Sequence, residues 1–399
     1  MSSKWKISTL AEITTRITDG SHNPPKGMEQ SEFLMLSSKN VLDDEINFEN
    51  PRYLSAEDFA LEHRRTKVAK GDVLLTIVGT IGRTAVVLDD APLFALQRSV
   101  AVIKPHTDQV LPRFLMLALM HSADRLNEKA RGVAQKGIYL ETLREFTIRH
   151  PSLHEQQRIV AILDEAFDGI ATAEANAEKN LRNARALFES YLQGIFTTAS
   201  ETCELVALSE LATDITDGDH MPPPKCEIGV PFITIGNINK KTRKIDFSDT
   251  YMVSHEYLKN LKPNRKPKKG DVLYTVTGSF GIPVLVEDDV EFCFQRHIGL
   301  VRPKPTTDSA WLNYLLLAPQ VFKQADDGAT GTAQKTVSLK ILRNFLVPRV
   351  PLPQQREAVT KLDTLRAETQ RLESIYQQKL AALDELKKSL LHQAFTGAL

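Results

Sequence analysis

A chain of 399 residues, 42% of them apolar and with no run of some 18 apolar residues, can hold two or three cored domains and offers no membrane span. Its 50 basic and 50 acidic residues cancel, which excludes binding driven by overall charge and leaves local basic patches as the place to seek a polyanionic partner. Cys203, Cys226 and Cys293 show neither paired nor metal-ligand spacing, which argues against a disulfide framework or a zinc centre. The start, Met1 to Lys6, lacks the apolar stretch of a secretory signal, so a reducing cytoplasm is the expected compartment.

In chain order, the first distinctive segment is Ile17-Thr18-Asp19-Gly20, followed by His22 and Asn23-Pro24-Pro25-Lys26. A basic run, Arg64, Arg65, Lys67 and Lys70, precedes Gly71. Short β-branched runs closed by glycine then predict strands over Asp72 to Val78, Thr84 to Leu88 and Ser99 to Ile103. A helix is predicted over Arg113 to Met120. Gly132-x-Ala-Gln-Lys136 leads toward Pro151, after which β-branched and proline punctuation gives way to heptads.

The whole pattern then returns. Ile215-Thr216-Asp217-Gly218 repeats the opening segment, His220 and Met221 to Lys225 follow it, and Lys262, Arg265, Lys266, Lys268 and Lys269 form a second basic run. Strands are predicted again over Asp271 to Thr277, Pro283 to Val286 and Ile298 to Val301, and a helix over Trp311 to Ala318. Gln295-Arg296 repeats Gln97-Arg98, Lys335 repeats Lys136, and Leu352 with Gln355 repeats Leu153 with Gln156. The period, about 199 residues, is far longer than a solenoid unit and leaves room for a folded domain plus an attachment in each copy.

The attachments are the heptad runs. In the second copy Leu362, Tyr376, Leu383 and Leu390 fall on one seam position, and Leu365, Leu372 and Leu386 on the other. The offset carries this back to Leu163, Ile170, Ala177, Ala184, Leu187 and Tyr191. One stripe is rich in alanine where the other is rich in leucine, so the two complement each other in volume and are expected to pair within one chain. Some 44 residues at about 1.5 Å each give a rod of roughly 65 Å. Antiparallel pairing would place the domains at opposite ends. The expected fold is α+β: two mixed α/β domains joined by a long antiparallel two-helix coiled coil with a pseudo-twofold internal repeat. The expected segments are 1–150 and 200–350 for the domains, and 151–199 and 351–399 for the helices.

The ordered set of Gly-Asp-Val-Leu, a Gly-x-x-Gly turn (Gly71 to Gly82, Gly270 to Gly281), Gly-x-Ala-Gln-Lys, and Leu-x-Glu/Gln-Gln opening each heptad run occurs twice. With this set the chain resembles the specificity subunit of type I restriction-modification systems over nearly its whole length. His154 stands where the second copy has Pro353. The resemblance implies two target-recognition domains, each reading one half of a bipartite, asymmetric duplex DNA site, with the coiled coil setting the spacer. It implies two adenine-N6 methyltransferase subunits and ATP-dependent endonuclease/translocase subunits as partners. It also implies a noncatalytic chain that binds no cofactor, with S-adenosylmethionine, ATP and magnesium on those partners.

Asn23-Pro24-Pro25-Lys26 is similar to the Asn-Pro-Pro-aromatic motif of adenine methyltransferases, but lysine replaces the aromatic residue and no Gly-rich cofactor loop accompanies it. No catalytic or metal-ligating residue is assigned, and Asp72 and Asp271 are expected to be turn residues. Reading DNA requires cations for phosphates and polar side chains for base edges. The candidates in the first copy are His22, Lys26, Lys39, Asn40, Arg83, Gln97, Arg98, Ser99 and Lys136. In the second they are His220, Lys225, Asn237, Asn239, Phe280, Gln295, Arg296, His297 and Lys335, with Ser37 to Asn40 matched to Gly236 to Asn239. Identical side chains cannot by themselves explain two unlike half-sites. Arg98, Arg296, Lys136 and Lys335 are therefore expected on the backbone, and Asn40, Arg83, Ser99, Asn239, Phe280 and His297 on the bases.

Overall fold

The computed structural model describes residues 5–132, 136–221, 223–331 and 334–399. Ala134, Gln135 and Ala333 of the two Gly-x-Ala-Gln-Lys motifs lie outside them. In the first half the elements are β1 (Lys6–Thr9), α1 (Leu10–Ile13), β2 (Thr14–Asp19), β3 (Phe33–Leu36), β4 (Arg52–Leu54), α2 (Ala56–Thr66), β5 (Val73–Thr76), β6 (Thr84–Val86), β7 (Phe94–Leu96), β8 (Val100–Pro105), α3 (Pro112–His121), α4 (Ala123–Lys129), α5 (Leu140–Arg144), β9 (Thr147–His150) and α6 (Leu153–Thr202). The second half gives β10 (Leu205–Ala207), α7 (Leu208–Leu211), β11 (Ala212–Asp217), β12 (Val230–Ile233), β13 (Ile238–Asn239), β14 (Lys244–Ile245), β15 (Tyr251–Val253), α8 (His255–Asn260), β16 (Val272–Thr275), β17 (Pro283–Leu285), β18 (Cys293–Phe294), β19 (Ile298–Pro303), α9 (Ser309–Leu317), α10 (Pro319–Gly328), α11 (Leu339–Arg343), β20 (Leu346–Pro348) and α12 (Leu352–Thr396). Contacts divide the chain into two units, Met1–Ala177 with Gln378–Leu399, and Glu178–Gln377.

The first unit is built on an antiparallel sheet in the order β2-β8-β5-β6, beside a second sheet, β4-β3-β7, in which β3 and β7 run parallel. The run Val73-Leu-Leu-Thr-Ile77 is apolar on both sides because the sheet is covered on both faces. Val73, Leu75 and Ile77 face a core filled by α3, whereas Leu74 joins Val100 and Val102 against β7. The first core also takes Leu163, Phe167 and Ile170 from α6 and Leu391, Ala394 and Phe395 from α12. Trp5, Phe114 and Phe395 form an aromatic trio with centroid distances of 5.2 to 6.4 Å. Arg158 donates to the Leu399 carbonyl at 2.9 Å, and Lys387 lies 5.1 Å from the Phe167 ring. Rising numbers on one helix meet falling numbers on the other, which is antiparallel pairing.

The second unit repeats the plan with β11-β19-β16-β17 and β15-β12-β18. Val272, Tyr274 and Val276 face the helical core while Leu273 faces the other side. Here the late part of α6 and the early part of α12 supply Phe188, Leu192, Phe196 and Leu362. Phe196 packs 4.5 Å from Trp311, and Arg185 pairs with Glu373 at 2.9 Å. Phe196 and its sequence twin Phe395 thus do the same work, each as the plug from a helix end.

The seam differs from the heptad expectation. Leu163, Ile170, Ala177, Ala184 and Leu362 are buried, and Leu365, Leu372, Tyr376, Leu383 and Leu390 are half-buried. Leu187, Tyr191 and Leu386, expected in the seam, are 52%, 39% and 46% exposed. A straight helix of 3.6 residues per turn drifts away from a seven-residue repeat. Phe188, Leu192 and Phe196 therefore turn inward on α6, and Leu391 and Phe395 on α12.

Asp164 and Asp363 fasten each unit to its helix. Arg113 of α3 donates to Asp164 Oδ1 at 2.8 Å and also grips Asp44, while the Tyr314 hydroxyl of α9 donates to Asp363 at 2.5 Å. Asp72 closes the turn before β5, its carboxylate accepting from the Ala69 amide at 2.8 Å and pairing with Lys104. Asp271 accepts from the Lys268 amide at 2.8 Å and from Arg302 at 2.7 and 2.9 Å. Burial pushes the Cys293 thiol up to about 12, so it stays protonated and unreactive.

Candidate nucleic-acid interface

Strand register decides which loops meet. In the first unit Asp19 pairs with Ala101, Val100 with Thr76, and Thr84 with Leu75. The end of β2, the start of β8 and the β5–β6 turn consequently share one end of the sheet. Bridges Ser21–Gln97 and Val78–Gly137 bring in the β7–β8 turn and the segment carrying Lys136, and the Ser38 amide donates to Ser99 Oγ at 3.0 Å. The second unit uses the same register, Asp217 with Gly299, Thr275 with Ile298 and Tyr274 with Pro283, and the bridges Asp219–Gln295 and Thr277–Thr336. One sheet end in each unit thus gathers the segments that carry the polar candidates.

At its centre lies the repeated Thr-Asp-Gly. A Cβ on Gly20 would sit 2.0 Å from the Leu96 carbonyl oxygen, and one on Gly218 would sit 1.9 Å from that of Phe294. Only glycine lets the loop lie this close to β7 or β18. The aspartate before it is a clamp. Asp19, 6% exposed, accepts from His22 Nε2 at 2.6 Å and from Arg65 Nη2 at 2.7 Å. Asp217 accepts from His220 at 2.9 Å and from Arg265 at 3.3 Å. Both histidines are more than half exposed at the side chain, so each presents its other ring nitrogen outward from a fixed position. Arg65 and Arg265 belong to this centre. The basic runs contained them, but the runs alone did not distinguish them from Arg64 or Lys266.

The remaining candidates fall into three environments. Lys26, Lys39, Arg98, Lys136, Lys225, Arg296 and Lys335 are exposed; Lys225 lies over the Tyr251 ring at 4.8 Å, and Lys335 pairs with Asp326 at 2.8 Å. Gln97, Ser99, Gln295 and His297 are half-buried around the turn before β8 or β19. Burial, helped by Arg296, pushes the His297 imidazole below its usual range and favours the neutral ring. The third group is inward or sideways.

Asn40 and Asn237 are buried. The Asn40 carbonyl oxygen accepts from the Ser37 amide at 3.0 Å, and its Nδ2 donates to Asn47 and Glu49 carbonyls. Asn237 likewise accepts from the Thr234 amide at 2.9 Å and donates to the Asp249 carbonyl at 2.8 Å. A side chain committed in this way holds its loop and is not free for a base edge. It also corrects the alignment: Ser37 to Asn40 corresponds to Thr234 to Asn237, because two extra residues sit later, within the β13–β14 hairpin. Asn239 is exposed, but its carbonyl accepts from the Lys241 and Thr242 amides at 3.0 Å each, so it builds the hairpin turn. Arg83 lines a cavity of about 530 Å³ with His121 and with Lys387 and His392 of α12. Phe280 stacks on Phe322, centroids 5.8 Å apart, against the helical core. Both therefore face helices; an apolar ring beside a core packs there in preference to reading a base.

The sequence matches the model for the type I restriction modification DNA specificity domain over residues 34–181 and again over 204–381. The chain belongs to this family. It is 33% identical over 161 residues to the specificity subunit of the type I restriction enzyme EcoBI of Escherichia coli, covering 40% of this chain and 33% of that protein, so the match spans a third of that relative's length. It is 22% identical over 302 residues to the MjaVIII specificity subunit of Methanocaldococcus jannaschii, covering 71% of this chain and 69% of that protein. A chain from a solved type I restriction-modification system shares its fold with a TM-score of 0.75 at 19% identity, covering 100% of this chain and 99% of that one. The HsdS subunit from Thermoanaerobacter tengcongensis gives 0.60 at 20% identity over 99% and 97%. Two family domains on a repeated fold account for the doubled sequence. No helix among the described residues is long and apolar enough to cross a membrane.

Proposed function

We propose that this specificity subunit binds duplex DNA through two target-recognition domains, residues 1–150 and 200–350, each reading one half of a bipartite, asymmetric site. The observation that carries the reading is the shared sheet end: both units gather an aspartate-clamped histidine and a Gln-Arg turn there, together with an exposed lysine from the loop that pairs with the glycine turn. The shared groups suit phosphate, which needs charge and position but carries no sequence. Ser99 and His297 differ at one matched position beside them and suit base discrimination.

The helices, 151–199 and 351–399, serve as spacer and as docking surface for two methyltransferase subunits, and endonuclease/translocase subunits join for restriction. The apolar Leu187, Tyr191 and Leu386 point outward from the helices, and such side chains suit a protein partner better than water. The chain itself is noncatalytic. Its histidine clamps hold no nucleophile, and S-adenosylmethionine, ATP and magnesium belong to the partner subunits.

Mapping adenine methylation genome-wide in cells with and without this gene tests the reading. A bipartite motif should lose methylation when the gene is absent. An unchanged methylome alongside an active partner methyltransferase, or methylation by the purified chain alone, would contradict it.

A further inference from the structure

The β12-to-β15 connection is where the two units differ most in charge. In the first unit the turn between Val41 and Ile46 reads Leu42-Asp43-Asp44-Glu45. In the second, the turn between Ile238 and Ile245 reads Asn239-Lys240-Lys241-Thr242-Arg243-Lys244. Three acids face four cations at one place in the fold.

Two of the three acids are engaged internally, and Glu45 is exposed. Asp44 is gripped by Arg113, which also holds Asp164 of α6, and Asp43 lines the cavity that Arg83 and Lys387 share. The basic turn is braced by its own hydrogen bonds, and among the described residues only Lys244 of its four cations is paired. Ile238 is buried and Ile245 packs beside it, Asn239 caps the Lys241 and Thr242 amides, and Arg243 N donates to the Asn239 carbonyl at 2.8 Å with φ at 54°. Among the described residues Lys244 pairs with Glu287 at 3.2 Å, and Lys240, Lys241 and Arg243 have no carboxylate within ion-pairing distance. Arg243 is set among Tyr314, Arg366 and Glu189, and burial with Arg366 nearby lowers its affinity for its proton. The loop that launches the hairpin leaves from the gathered sheet end, since the Gln295 amide donates to the Ile233 carbonyl at 3.0 Å.

We propose that this hairpin is a phosphate clamp on the DNA backbone belonging to the second unit alone, with Lys240 and Lys241 as its contacts and Arg243 stiffening its root. The inference rests on the DNA-binding reading above. Exposed, uncompensated lysines on a braced turn match a polyanion, whereas a protein carboxylate would be better met by a buried, forked guanidinium. The two half-sites are accordingly held with unequal electrostatics.

The test uses the subunit assembled with its methyltransferase partner. Binding to the methylome-defined duplex, and to an unrelated duplex, is measured from about 50 to 200 mM salt for the wild type and for Lys240→Gln/Lys241→Gln. Losing two phosphate contacts should make the slope of log affinity against log salt shallower by about 1.8 on both duplexes, with base preference unchanged. An unchanged slope on both duplexes overturns the clamp. So does a variant that fails to assemble with the methyltransferase yet keeps its slope, because the hairpin would then face a protein. A wild-type complex without preference for the defined duplex would overturn the specificity reading instead. The slope on unrelated DNA would still decide the clamp.

Discussion

The two units share a backbone and diverge in how they are fastened. Asp19–His22–Arg65 and Asp217–His220–Arg265 are the same clamp made twice, and Gly20 and Gly218 meet the same neighbouring carbonyl. Yet the first unit is locked to its helices by Arg113 and by Phe395 stacked on His121, and the second by Tyr314 and by Phe196 on Trp311. Sequence stays fixed where backbone passes within contact distance of backbone, because only one residue type fits. It drifts where side chains fill volume, because many combinations fill it. Recognition can therefore change at loop tips without disturbing the frame that aims them.

The largest expected effect breaks the fastening. Phe196→Ala should cost about 3 to 5 kcal/mol, and Phe395→Ala somewhat less, since Phe196 is 0% and Phe395 8% exposed. Hydrogen exchange should show the first loosening β11–β19 of the second unit and the second loosening β2–β8 of the first, although each plug follows the other unit in sequence.

Next come the glycines. Gly20→Ala and Gly218→Ala should each cost about 3 kcal/mol, since a carbonyl cannot yield as a side-chain tip can. Each should abolish preference for one half-site only, measured by competition with half-site mutants. If either variant lost both, the units would not be independent readers.

Asp19→Asn and Asp217→Asn are expected to change stability by about 1 kcal/mol, since their histidine partners are more than half exposed. DNA affinity should nonetheless fall about tenfold as His22 or His220 loses its fixed position. An equal fall in stability and affinity would make the clamp a structural feature.

The smallest effect is in pH. His121 is pushed below its usual range by burial and by His392 and Arg125, and His150 by burial and Lys6. The cavity beside His121 also carries Asp124, Asp384 and Lys388. A histidine with a depressed folded pKa takes up its proton more readily when unfolded. Its stabilisation is complete above the unfolded value near 6.5 and declines as pH falls toward the folded one. Ala318, Gln193 and Arg349 stand at the matched positions of the second unit. The melting temperature of the first unit should drop a few degrees more than that of the second between about pH 7 and 5.5.

Much of this was legible in the residues. Runs such as Val73 to Ile77 spell doubly covered strands, and the return of Thr-Asp-Gly-x-His predicts two equivalent loops. The helix seam was legible only in part, because a heptad template cannot follow a helix whose buried face rotates toward a different core in each unit. Asn40 and Asn237 look like base readers in sequence, since an amide suits both a base edge and a loop, and only the carbonyls of Asn47, Glu49 and Asp249 reveal which. Arg65 and Arg265 were hidden inside basic runs for the converse reason: the aspartate that selects one arginine from its neighbours is some 46 to 48 residues away.

The central claim is that one repeated frame carries two independent readers. Exchanging Ser99 and His297, as Ser99→His in one variant and His297→Ser in another, and mapping the methylated motif of each tests it most directly. The account predicts a motif altered or relaxed in one half, a different half for each variant, with spacer length unchanged. A change in both halves together, or in the spacer, would contradict it.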